Sequence, residues 1–97
     1  MKKYWSDGMG RLEIEMTLEQ AESASHQGRC DDDVASLVEE LRGQLDKLDK
    51  EKVKESLKEY GAWNEEELSD HEANLQRLVW IASGDMVEEA RNEQRNC

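Results

Sequence analysis

The spacing of the apolar residues changes once along this chain, and that change fixes the fold class. Leu12, Ile14 and Met16 alternate with Arg11, Glu13 and Glu15, which is the two-residue period of a strand with one buried face. From Val34 onward the spacing is three and four residues, the period of amphipathic helices. Residues 1–16 therefore predict a β-hairpin. Lys3-Tyr4-Trp5 makes the first strand, and Asp7-Gly8 and Gly10 supply the positive φ angles of the turn. A two-stranded hairpin is marginal alone, so its apolar face has to lie on helices or on another chain. The expected fold is mainly α, of the α+β type: an N-terminal β-hairpin followed by a compact bundle of four to five short helices.

The helix boundaries follow from capping chemistry. Thr17 with Gln20 is spaced as a capping box, and a short helix over about 18–25 follows, with Gly28 as its stop. Asp31-Asp32-Asp33 opens the next helix, where carboxylates face the positive end of the dipole. Val34, Leu37, Val38 and Leu41 give it one apolar face, and Gly43 is its expected end. Asp49 caps a third helix that turns Val53, Leu57 and Tyr60 inward and stops at Gly61. Asn64 and Glu67 form a second capping box, with Trp63 and Leu68 spaced as a hydrophobic staple at the start of a long helix. Leu78-Val79-Trp80-Ile81-Ala82 is apolar on every side and predicts the most buried turn. Gly84 is expected to break or kink that helix, with Asp85 and Glu88 capping a last one. Residues 1–91 make one domain on this reading, and 92–97 are a frayed tail.

Composition limits function. The chain has 97 residues, 24 Asp plus Glu against 13 Lys plus Arg, and a net charge of −11. A direct nucleic-acid binder needs a basic patch, so that class is not expected. No apolar run approaches the roughly 20 residues of a membrane span. No apolar segment follows Lys2-Lys3, so the expected location is the cytoplasm, with Cys30 and Cys97 as free thiols. Apolar residues are 36% and charged residues 38% of the chain, a balance that leans toward disorder. The periodicity and the large areas of three Trp and two Tyr restore a core.

The charge is unevenly placed. Residues 1–46 carry −6, residues 47–59 carry +1, and residues 60–97 carry −6. Clustered acids have two readings. They are solvated helix starts and faces, or they are a fixed negative surface that speeds encounter with a basic partner. Glu39, Glu40, Glu65, Glu66, Glu67, Asp70 and Glu72 are the candidates for the second. Trp5, on the hairpin, is the aromatic with the best claim to partial exposure as an interface anchor, although core burial is the commoner fate of such a residue. His26 and Cys30 have the spacing of a metal pair, but four ligands are normally wanted and only two His and two Cys exist. A nucleophile pair of Cys30 with His26 or His71 lacks an evident oxyanion hole or third group. No enzyme activity, cofactor or metal is expected on these grounds.

Ser25 through Val34, including His26-Gln27-Gly28-Arg29-Cys30-Asp31, and Leu57 through Trp63, including Tyr60-Gly61-Ala62-Trp63, carry a resemblance. So do Glu67-Leu68, Asn74, Arg77, Trp80-Ile81-Ala82 and Asp85. Over residues 4–85 the chain resembles a group of small uncharacterised proteins encoded by phages, prophages and their bacterial hosts. That resemblance implies a cytoplasmic, mobile-element setting and supplies no catalytic residues. By analogy with small acidic phage proteins, it raises the expectation of binding and blocking a host protein. The leading expectation is therefore a non-enzymatic acidic protein that binds a host protein with a basic surface. The alternatives are a DNA-mimic inhibitor of a host nuclease or defence complex, and a small metal-binding protein at His26 and Cys30. A homodimer is also expected, because a hairpin has open edges.

Overall fold

The computed structural model describes residues 2–7, 10, 12–24 and 31–95. His26, Gly28, Cys30 and Cys97, and the readings placed on them, lie outside these residues. Strand β1 (Lys2–Ser6) pairs antiparallel with β2 (Glu13–Thr17). Trp5 lies opposite Ile14, and Tyr4 lies opposite Glu15. Leu12, Ile14 and Met16 are buried and Glu13 is exposed, as alternation requires. At the turn, the Asp7 carboxylate accepts from the Leu12 N–H at 3.0 Å. Asp7 N–H also donates to the Leu12 carbonyl at 3.2 Å, and Gly10 takes φ +68°.

Two of the three expected capping boxes form, and the third, Asp85 with Glu88, falls inside a continuous helix. Thr17 N–H donates to Gln20 Oε1 at 2.9 Å, and Gln20 N–H donates to Thr17 Oγ1 at 3.1 Å, which starts α1 (Leu18–Ala24). Glu67 N–H donates to Asn64 Oδ1 at 2.8 Å, and Asn64 N–H donates to Glu67 Oε1 at 3.0 Å. The second box does not start the long helix. It caps a single 3-10 turn, Glu67–Ser69, and the long helix begins after Asp70. Between the two boxes run α2 (Asp31–Glu40), α3 (Arg42–Leu45) and α4 (Lys50–Glu59). Helix α2 ends before Leu41, and Gly43 lies inside α3 instead of stopping its predecessor. The Asp49 side chain accepts from Glu51 N–H at 2.8 Å at the start of α4, and Gly61 follows α4 with φ +71°.

Helix α5 (His71–Arg95) has 25 residues and is the spine of the molecule. At 1.5 Å per residue it is about 37 Å long, close to the 43 Å longest dimension. It packs against α1, α2, α4 and β1. Gly84 does not break it: the helix runs through that position without interruption and also carries 92–95. The i→i−4 ladder tolerates a glycine when the flanking turns are held by packing, and Ala82, Ser83 and Met86 are all buried. No helix among the described residues is long and apolar enough to cross a membrane.

Two aromatic placements, Trp80 and Tyr60, differ from expectation, and Trp5 takes the core. Trp5 is only 6% exposed, while Trp80 is 38% and Tyr60 45% exposed. At 100° per residue, Leu78, Val79 and Ala82 face inward, so Trp80 must face outward and Ile81 sits at the boundary. An all-apolar helical turn longer than one contact stripe cannot be buried in a layer this thin. Tyr60 closes α4 at its C-cap, where the chain is already turning out toward Gly61.

Candidate acidic interface

The acidic residues singled out from sequence are largely engaged with local structure. Glu39 and Glu72, 33 positions apart, close on one guanidinium. Arg42 Nη1 donates to Glu72 Oε1 at 2.6 Å and Nη2 to Glu72 Oε2 at 3.2 Å. Its Nε and Nη2 donate to the two Glu39 oxygens, each at 3.2 Å. Asp46 lies 4.0 Å from the same Arg42. Two bidentate carboxylates on one guanidinium fix its plane as well as its charge. The Arg42 hydrogen bond holds the Glu72 carboxyl below the usual range, and the two carboxylates push the guanidinium well above its ordinary value. This clasp ties the α2–α3 corner to the first turn of α5. It leaves three acids around one base, an excess of negative charge.

Glu65 pairs with Lys58, which lowers the Glu65 carboxyl and raises the Lys58 ammonium. Glu67 is held in the capping box. Asp70 Oδ1 accepts from Ala73 N–H at 3.3 Å at the start of α5. Glu40 and Glu66 are exposed. The Glu66 carbonyl is bonded by Ser69 Oγ at 2.7 Å. Glu66, Glu67, Asp70 and Glu72 thus collect around the N-terminal end of α5, where the helix dipole favours them. Glu39 joins them through Arg42, and Glu40 follows on the last turn of α2. Trp5 does not join this set. Its Nε1 donates to Asp85 Oδ2 at 2.9 Å, and Asp85 lies about 20 Å further along α5 than Glu72 at 1.5 Å per residue.

Trp5 is instead the buried end of a polar corner. Asp85, Asp7 and Tyr60 approach one another there, and partial burial followed by the two carboxylates raises the Tyr60 phenol. Asp85 is therefore not the cap of a separate helix but the acceptor that lets an indole N–H be buried. A second network seats the segment before α5. Arg77 lies 5.5 Å over the Trp63 ring and donates to Glu67 O and Asn74 Oδ1, both at 2.9 Å. Asn74 Nδ2 donates to Leu68 O at 2.8 Å, and Asn74 is buried.

Sequence reasoning missed Arg42 as the hub, the Asn74–Arg77 network and the exposure of Tyr4, which is 73% exposed. Only the Glu39–Arg42 spacing of three residues carried a readable signal. His71 opens α5 and is half-buried. Among the described residues no group of three or more His, Cys, Asp or Glu is placed to hold a metal ion. In comparisons with family models, curated proteins and solved structures, nothing matches this chain.

Proposed function

We propose that the chain acts by binding, as a non-enzymatic acidic protein whose partner is a host protein with a basic surface, in the phage or prophage setting that the resemblance implies. The observation that carries this reading is the acidic end of α5. Glu66, Glu67, Asp70 and Glu72 occupy a stretch of seven residues, and Arg42 brings Glu39 beside them. The Arg42 clasp holds two of these carboxylates rigidly, so they keep their positions without further ordering cost on binding. The capping and ion-pair duties of Glu65, Glu67, Asp70, Glu39 and Glu72 favour a compact basic patch as the partner over a long double row of phosphate-like charges. That makes the DNA-mimic alternative the weaker of the two.

The test uses the full chain as bait in a bacterial lysate and then the purified captured protein. Glu40→Lys with Glu66→Lys reverses two exposed acids while sparing the Arg42 clasp and both capping boxes. A genuine partner should associate at least about tenfold more slowly with this double variant, and more slowly with added salt. A partner bound equally well by the variant, or no capture at low salt, would overturn the reading. Competition by duplex DNA for the captured protein would move the case to the mimic.

A further inference from the structure

The register of the hairpin makes its two edges unequal. Asp7 N–H bonds the Leu12 carbonyl, and Trp5 lies opposite Ile14. The main-chain groups of Lys3, Trp5 and Asp7 therefore face β2, and those of Lys2, Tyr4 and Ser6 face away from it. On β2 the outward groups belong to Glu13, Glu15 and Thr17 by the same alternation.

The outer edge of β2 is closed by side-chain amides. Glu15 N–H donates to Gln44 Oε1 at 2.8 Å, and Gln44 Nε2 donates to the Glu15 carbonyl at 2.6 Å. One glutamine amide thus makes both bonds that a neighbouring strand residue would make. Thr17 N–H is taken by Gln20 at 2.9 Å. No described residue hydrogen-bonds the outward main-chain groups of Lys2, Tyr4 and Ser6. Tyr4 and Ser6 are exposed on that strand.

We propose that β1 pairs antiparallel with β1 of a second copy, joining two hairpins into one four-stranded sheet. Opposing outward residues with full overlap of the five-residue strands sets the register: Tyr4 meets Tyr4 on the twofold axis, and Lys2 meets Ser6 of the second copy. About six main-chain hydrogen bonds follow from that register. The charge along the strand favours this occupant. β1 begins with Lys2-Lys3 and ends with Ser6 opposite the exposed Glu13. Antiparallel pairing sets the basic end of each copy beside the acidic end of the other. On a chain of net charge −11, β1 starts with the one adjacent basic pair in the sequence. The Tyr4 ring, now 73% exposed, gains an aromatic cross-strand partner. With one edge open and the other sealed, pairing closes at two copies and does not extend into a filament.

The experiment is light scattering and sedimentation of the full chain from about 1 μM to about 1 mM, a range that brackets weak dimers. The expected mass rises from one chain to two and stops there. Tyr4→Pro removes an outward N–H that the β1–β2 ladder does not use, so the hairpin should persist and dimerisation should weaken at least about tenfold. Amide exchange of the wild type gives a second readout: Tyr4 and Ser6 should become protected as concentration rises. One-chain mass throughout, growth past two copies, an equally dimeric folded Tyr4→Pro, or unchanged exchange at Tyr4 and Ser6 would each overturn the proposal.

Discussion

Gly61 and Gly84 place opposite demands on the backbone. Gly61 has φ +71°, a conformation where a Cβ collides with the following carbonyl. Gly61→Ala should destabilise by about 1–2 kcal/mol although a Cβ there meets no neighbour. Gly84 lies inside α5, and a Cβ there also meets nothing within 4 Å. Gly84→Ala should stabilise by about 0.5–1 kcal/mol through the unfolded chain, raising Tm by several degrees. Thermal melts of the two variants check both signs, and a Tm that falls for Gly84→Ala would restore a hinge at that position. The residue scale also shows where reading from sequence stops. The positive φ at Gly61 was legible, because Gly after an apolar helix face is a stop. The helical state of Gly84 was not, because packing of Ser83 and Met86 on other elements overrides a local preference. Trp80 lies outside the core it was expected to join, while Trp5 lies in it. Burial of an indole depends on an acceptor for its N–H, and Asp85, 80 residues away, supplies it.

At the scale of elements, what positions the hairpin is Gln44. It reaches from α3 to Glu15 of β2 with both of its amide functions. Gln44→Ala should cost about 1–2 kcal/mol for two lost bonds to partly buried main-chain groups. It should also open the second edge of the sheet, so that association runs past two copies. Denaturant midpoints and light scattering on the same samples measure the two effects, and a stable variant of unchanged mass would show that the edge is closed by other means. The hairpin, α1 and the start of α4 were readable because their determinants lie within a few residues: alternation at 11–16, Thr17 with Gln20, Asp49 before Glu51. The Asn64–Glu67 box was equally readable, yet it serves a 3-10 turn. A box specifies that a turn of helix starts, and the residues beyond it decide how far the helix runs.

Across the whole molecule, part of the acidic excess is gathered at the N-terminal end of α5, where Arg42 joins Glu39 to Glu72. Glu72 and Glu65 hold their protons more weakly folded than unfolded. The unfolded chain therefore binds more protons as the pH drops, and the stabilisation is present above the ordinary carboxyl value of 4.5 and lost below it. Glu72→Gln should lower stability at about pH 7, and its difference from wild type should be smaller at about pH 3, below the ordinary carboxyl range. Urea midpoints at the two pH values provide the check. A difference that persists unchanged in acid would mean that Glu72 contributes through shape and not charge.

The periods, the caps and the fold class follow from the order of the amino acids alone, because each rests on contacts between residues a few positions apart. The tertiary structure decided which indole is buried, which glutamates share Arg42, and which edge of the hairpin is left open. Those outcomes rest on pairs separated by 29, 30 and 80 positions. Such pairs are brought together by the packing of distant elements, so no local pattern in the chain encodes them.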